Sequence, residues 1–585
     1  MSVGLAPHTS NVEYFGPASN FSFVNQLNHY LRQLAILDLN TSEVELVDER
    51  QGLERYGMKM MQLQDHTSSR VFGVCDISLA KAVDLVEGYF ETWHVPIPLF
   101  KTENVMKELR EVWFAAYEGK TVDKALLAKV CLLLSIGSGA TRFDSESPDD
   151  CPGLARDFYH LAREYMPKGV SEVSYSAAVL LLLMSLAEAN LGDTSLSYVH
   201  SGTAVRTAIV VGLHKIDISK QPTEANKECH RAWCSISQWD KYWSFCVGKP
   251  PSGLEDYPSG QMYGPAFACE KEWPENPFPI HYEHMRMRVF FGGICSRVYS
   301  ELYDKNKDLL SVFTCVEMLS KKVDNEYFGT AEPYMCASDV SKAADNPIYR
   351  NREWFWIRIY YLYLKLVIFR PFLVFCAYLK LSSTETTSEI QQLLTSGSES
   401  SVKVAITLAR FVIDLNRAVP MRQPILFICT YLESACTVLL FYVVSHLKEL
   451  TEEMSHEIWT ILNDTCQFLR GANGPNVGST KLIANDAIKS LQNILLTKQS
   501  TGTTFFDRLM QPLFNRNAAD SPLGAVVSPN VVVSDTKQPN DFFGLSTTTP
   551  QDSCDETESP RSVKAPPSDS LEVFWQQTLD WMSYP

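Results

Sequence analysis

The chain has 585 residues, 45% hydrophobic and 21% charged, which is folded-protein composition with room for one large domain or several smaller ones. A formal net charge of -16 excludes a chain that grips nucleic acid over its whole surface, because phosphate binding works through clustered lysine and arginine that release counterions. The fifteen cysteines never fall as Cys-x-x-Cys, the tightest pair being Cys229 and Cys234, so the paired-thiolate knuckle of structural zinc is missing and no cofactor or metal is expected.

Residues 1–70 read as a partly ordered N-terminal segment. Within it Tyr14–Phe21 is broken by Gly16-Pro17, and Val24, Leu27, Tyr30, Leu31 and Leu34 follow at helical spacing; Gln51–Ser69 is polar. Across residues 71–500 apolar positions recur every three or four residues, as in Ala82, Leu85, Val86, Tyr89, Phe90 and Trp93, where Val95-Pro96-Ile97-Pro98 then stops the helix. No stretch sustains the alternation of a half-buried strand, so the predicted fold class is all-α, a large multi-helix domain. Ser382–Ser401 is rich in serine and threonine and reads as an exposed loop between two long apolar segments. Those segments, Ile359–Leu379 and Ile425–Val444, are long enough to span a bilayer. Lys365, Arg370, Pro371 and Glu433 interrupt them, which marks core helices of a large protein and no membrane partner. Residues 501–585 turn to serine, threonine, proline and asparagine and are expected to be mostly disordered, since they cannot bury enough apolar surface to offset chain entropy.

Apolar runs such as Val130-Cys131-Leu132 use thiols as small core residues, and no signal peptide opens the sequence, so a reducing compartment is expected. Gly137-Ser138-Gly139 has the look of a dinucleotide or methyl-donor loop, whose glycines would admit a phosphate or ribose to backbone amides. That loop needs a strand before it, and Val122–Ile136 favours helix, so the glycines read better as a small-residue helix end. A small-molecule-binding protein or enzyme using Gly137–Gly139 is the competing functional reading. His281 and His284 place two imidazoles at i and i+3, yet they lack further ligands nearby and sit at a predicted solvated helix start. No nucleophile elbow, phosphate loop or kinase motif is present, so an enzyme is not expected.

The centre of the chain says more. Val205, Ala208, Ile209 and Leu213 form one apolar stripe, and Trp233, Ile236, Asp240 and Trp243 form another before Gly248-Lys249-Pro250 ends the second helix. The two segments are predicted to pack side by side with Arg206 and Asp240 facing the seam as a half-buried ion pair. The series Tyr198, Ser201, Gly202, Ala204, Val205, Arg206, Ala208, Gly212, Leu213, His214 and Lys215, then Trp233, Asp240-Lys241, Gly248 and Pro250, then Arg370-Pro371-Phe372-Leu373, resembles the fungal-specific transcription factor domain. That domain is the middle homology region of zinc-cluster regulators, and Tyr14–Leu27 is similar to the short block that often follows the cluster. Lysine stands where the family has arginine at Lys241 and Lys249.

The resemblance implies an all-helical regulatory domain over residues 71–500, a nuclear protein and a role in RNA polymerase II transcription. Specialised-metabolite or nutrient-utilisation genes are the family's typical targets. It also implies coactivators, a DNA-binding partner subunit or a homodimer, and a small-molecule effector as partners. The family's six-cysteine zinc cluster has no counterpart in this sequence, so DNA binding is expected at family level only, and zinc only with such a cluster. Finally, Leu571, Phe574, Trp575, Leu579 and Met582 share one helical face of the acidic, aromatic stretch 569–584, the pattern of an activation segment that folds into a coactivator groove.

Overall fold

Helix caps, apolar stripes and a few backbone-to-backbone approaches define the architecture. The computed structural model describes residues 2–5, parts of 12–30, 73–141, 151–166, 173–252, 282–303, 309–335, 352–382, 387–418, 423–446, 450–470 and 477–489, with gaps of one or two residues inside several of these. These belong to one unit of the chain, which includes Met1–Ile494; the second unit, Leu495–Ser570, lies outside them, as does the 569–584 segment.

In order the helices are α1 (Leu79–Thr92), α2 (Thr102–Tyr117), α3 (Lys124–Ser138), α4 (Cys151–Tyr165), α5 (Tyr175–Leu191), α6 (Thr194–Val210) and α7 (Glu224–Val247). They continue as α8 (Tyr282–Arg297), α9 (Leu309–Met335), α10 (Arg352–Ser382), α11 (Ser388–Ala418), α12 (Ile425–Ser445) and α13 (Glu452–Phe468). Two short antiparallel ladders accompany them, β1 (Ser2–Leu5) with β2 (Val12–Phe15), and β3 (Ala140–Thr141) with β4 (Gln423–Pro424). The fold is all-α, and the ladders tie chain segments together without forming a sheet layer.

Starts and stops are local. Ser78, Asp123, Ser174, Asp193, Thr223 and Thr451 each accept a hydrogen bond from the amide three residues on, satisfying one of the donors that a helix start leaves open. Sequential helices pack in pairs, α3 on α4, α5 on α6, α7 on α8, α10 on α11 and α11 on α12, while α6 lies along α7 as its apolar stripe requires. Among the described residues two helical stretches have membrane-like length and composition, Phe355–Ala377 within α10 and Phe427–Ser445 within α12, and nearly all residues of their most apolar parts are buried inside the protein. Burial on all sides accounts for their apolar character without lipid.

Pro371 sits inside α10, where it withholds the amide that would bond the carbonyl of Val367. The hydroxyl of Tyr303 donates to that carbonyl at 3.2 Å, so the helix continues past the proline with its acceptor satisfied.

The serine- and threonine-rich stretch corrects the sequence reading. From Ser388 onward it is the first half of α11, not an exposed loop. Leu394, Gly397, Ser398, Ser401 and Val402 are buried, and a Cβ on Gly397 would stand 2.3 Å from the Phe372 ring. Small residues at this spacing let α11 approach α10 closely, and that packing overrides the weak helix propensity of serine.

Candidate functional site

The glycines of the cofactor-loop reading lie in a helix interface. Gly137 and Ser138 are the last turn of α3, and the Gly139 amide bonds back to the Ile136 carbonyl. A Cβ on Gly137 would be 1.8 Å from the Leu85 carbonyl oxygen of α1, and one on Gly139 would be 1.9 Å from the Asn190 amide. The segment runs helix then strand, the reverse of a phosphate loop, and its glycines serve the contact of α1, α3 and α5. His284 begins α8 but is buried, which corrects the expectation of a solvated start. Among the described residues no three His, Cys, Asp or Glu side chains come together as metal ligands. The cysteines described there are free and mostly buried, with Cys131 pushed up to about 12 by burial, so they do not fit a zinc cluster.

The family-like motifs build one connected constellation. In α6, Ala204 and Val205 are buried, and Gly212 turns the chain in the left-handed region at φ 80° into a short 3-10 turn of Leu213, His214 and Lys215. Leu213 is buried, and the His214 ring lies 5.9 Å from the ring of buried Trp233 on α7. Asp240 on α7 is also buried, but the predicted pairing with Arg206 does not form. Arg206 points outward and is exposed. The Asp240 carboxylate instead accepts from the Ser252 amide at 2.8 Å, the Ser252 hydroxyl at 2.9 Å and the Ser201 hydroxyl at 3.3 Å. Burial pushes the Asp240 carboxyl up, and these three donors act in the opposite sense. An aspartate about two turns from the helix end meets the chain that folds back past it, while the long Arg206 side chain lies on a different face of α6.

The turn that Asp240 holds is the Gly248-Lys249-Pro250 strap. Gly248 ends α7 at φ 69°, and a Cβ there would also stand 2.6 Å from the Gly16 carbonyl oxygen, so both conformation and space demand glycine. Beyond it, the Tyr198 hydroxyl donates to the Pro250 carbonyl at 2.7 Å, and Lys249 bonds Ser195 at 3.3 Å while lying over the Tyr198 ring. The strap thus closes onto α6.

Gly16 opens the N-terminal block, and the Arg-Pro motif grips the same block from the far side. Arg370 on α10 is buried; it donates to the side-chain amide oxygen Oδ1 of Asn20 at 2.6 Å and to the backbone carbonyl of Ala18 at 3.3 Å, with its guanidinium 4.7 Å from the Phe23 ring centre. Asn20 also accepts from Ser434 on α12 at 2.8 Å. Burial lowers the Arg370 proton affinity, while Tyr363, Tyr303 and Glu433 act to raise it. Phe23 and Tyr30 then pack on Phe441 of α12. Of the predicted helical positions, Val24, Leu27 and Tyr30 are buried, while Leu31 and Leu34 lie outside the described residues. Segments some 350 residues apart in the chain are therefore joined by one guanidinium.

Sequence reasoning singled out Arg370, Gly248 and Asp240, with Ser201 in the family-like motif, and missed Asn20 and Ser252, which receive or supply their bonds. Asn20 lay within the flagged Tyr14–Leu27 block; nothing in the sequence marked Ser252.

A family model described as the fungal-specific transcription factor domain matches residues 86–259, from α1 through the strap. The zinc finger protein grt1 of Schizosaccharomyces pombe is 42% identical over 589 residues, covering 99% of this chain and 88% of that protein. No solved structure matches. With the motif constellation intact and a relative this similar over almost its whole length, the chain belongs to the fungal-specific transcription factor domain family of transcription regulators.

Proposed function

We propose that this regulator acts in a fungal nucleus on RNA polymerase II transcription, with the helical region 71–500 as its regulatory body and segment 569–584 as the contact for coactivators. The observation that carries the reading is 42% identity to a zinc finger protein across 99% of the chain, on top of the family match. The net charge of -16 favours a route to DNA through a DNA-binding partner subunit or a homodimer over one that uses this chain's whole surface. A specialised-metabolite or nutrient-utilisation gene set, with a small-molecule effector, completes the proposal.

The test is a reporter. Residues 540–585 fused to a heterologous DNA-binding module should activate transcription, and changing Phe574, Trp575 and Leu579 together to alanine should abolish it, since a few large side chains dominate such grooves. Changing Glu572 and Asp580 to asparagine should weaken activation without removing it, because rim charges act mainly on encounter. An inert fusion, or a triple variant as active as its parent, refutes the activation segment.

A further inference from the structure

Buried cations in this protein are usually matched. Lys365 is bonded to Asp324 and Ser320, and Arg370 has Asn20, the Ala18 carbonyl and a nearby Glu433. Arg288 on α8 is different. It is 5% exposed, and the groups acting on its charge are Tyr360, Tyr431, Tyr242 and Cys295. Burial raises the pKa of each of these four, so at neutral pH they carry no charge to offset the guanidinium.

The guanidinium is nonetheless held in place. In the amide orientation that satisfies both groups, the Gln238 oxygen on α7 accepts from Nε and Nη2 at 2.8 Å each, which fixes one edge. The Tyr360 ring on α10 lies against its face, 5.3 Å from centroid to guanidinium carbon. Among the described residues the remaining nitrogen, Nη1, has no acceptor. Two further tyrosines act on the guanidinium's charge, Tyr242 of α7 and Tyr431 of α12, whose hydroxyls meet at 2.7 Å, and Phe291 of α8 lies 5.7 Å from the Tyr360 ring. A planar guanidinium offers five N–H groups, and with its side edge occupied by Gln238 the Nη1 end retains the fork geometry that matches a carboxylate. Leaving such a charge buried without a counter-ion is strongly unfavourable.

We propose that Arg288, positioned by Gln238 and Tyr360, is the recognition group of an internal site for a small organic carboxylate with an aromatic or apolar body, set among α7, α8, α10 and α12. The carboxylate takes the Nη1 end of the guanidinium and supplies the missing charge; the tyrosine and phenylalanine rings take the body. The site stands on this geometry and does not depend on the assignment of an activation segment.

The experiment uses the full chain and reads the thermal unfolding midpoint by circular dichroism, together with calorimetric titration, at pH 7. The probe is phenylacetate, with phenylacetamide as its neutral counterpart and acetate as an anion without the ring. Phenylacetate should raise the midpoint and bind saturably, with a folded-to-unfolded ratio about a hundredfold higher at a hundred times its Kd, while the other two leave it unchanged. Arg288→Met should abolish the response and leave the free chain at least as stable as wild type. Gln238→Glu places a carboxylate inside the protein beside Arg288; it should raise the stability of the free chain and also abolish the response, and it decides the matter if Arg288→Met fails to fold. No response of the wild type to phenylacetate, an equal response to phenylacetamide or acetate, or a response retained in Gln238→Glu would each overturn the proposal.

Discussion

Arg370→Ala is the sharpest probe of how the family motifs hold this domain together. The change removes two hydrogen bonds from a charged donor, to Asn20 at 2.6 Å and Ala18 at 3.3 Å, and the ring contact with Phe23. Hydrogen bonds from a charged group contribute about 1.5–3 kcal/mol each, and a cation over a desolvated ring about 1–2 kcal/mol. Against this, the variant no longer keeps a charge out of water, which returns part of the sum. A net loss of about 3–5 kcal/mol is expected, and Arg370→Lys, whose single ammonium cannot span both acceptors, should lose about half as much. Urea denaturation gives the midpoint, and hydrogen exchange at residues 18–27 gives the location. The block should lose protection before the rest of the domain, because what then remains is the apolar contact of Phe23 and Tyr30 with Phe441 and the neutral hydrogen bond from Ser434 to Asn20. Asn20→Ala combined with Arg370→Ala should couple by about 1–3 kcal/mol. An Arg370→Ala variant within about 1 kcal/mol of wild type, with the block still protected, would refute the idea that this guanidinium fastens the N-terminal block to α10.

Other outcomes follow from the same structure. Tyr303→Phe should cost about 1–3 kcal/mol by leaving the Val367 carbonyl without a donor, and almost nothing in a Pro371→Ala background, where residue 371 regains an amide; equal costs in both backgrounds would dismiss the Tyr303 bond. Gly137→Ala should destabilise by at least about 1–3 kcal/mol through its clash with Leu85, whereas Gly153→Ala, at an exposed position of α4 with open space around it, should gain about 0.5–1 kcal/mol; denaturation midpoints moving the same way would contradict the packing role. His94 is lowered to about 3, first by burial and then by Arg231, so it stays neutral in the folded chain while the unfolded chain takes up a proton below about pH 6.5. Folding stability is therefore whole above that pH and falls as the pH drops toward 3; relative to His94→Gln the wild type should lose about 1.4 kcal/mol per unit between pH 6 and 4, and parallel pH profiles for the two would show that His94 titrates in the native state.

The sequence alone determined the helical class, the stops at Val95–Pro98 and Gly248–Pro250 and the neighbourhood of α6 and α7. These follow from apolar spacing and from the chemistry of glycine and proline, and both act over a few residues of contiguous chain. The buried character of α10 and α12 was equally legible, because Glu433, Lys365 and Arg370 would be costly in lipid. Tertiary structure alone decided the partners. Serine-rich residues 388–401 are helix because Gly397 meets Phe372, a contact invisible to local propensity. Asp240 bonds Ser252 and Ser201 instead of Arg206 because helix phase turns Arg206 to solvent, a matter of degrees around an axis that residue type does not specify. Likewise the sequence marked Arg370 as an unusual charge in an apolar helix, but only the fold could bring Asn20 to it across some 350 residues, because a hydrogen bond depends on positions fixed by the packing of every helix between.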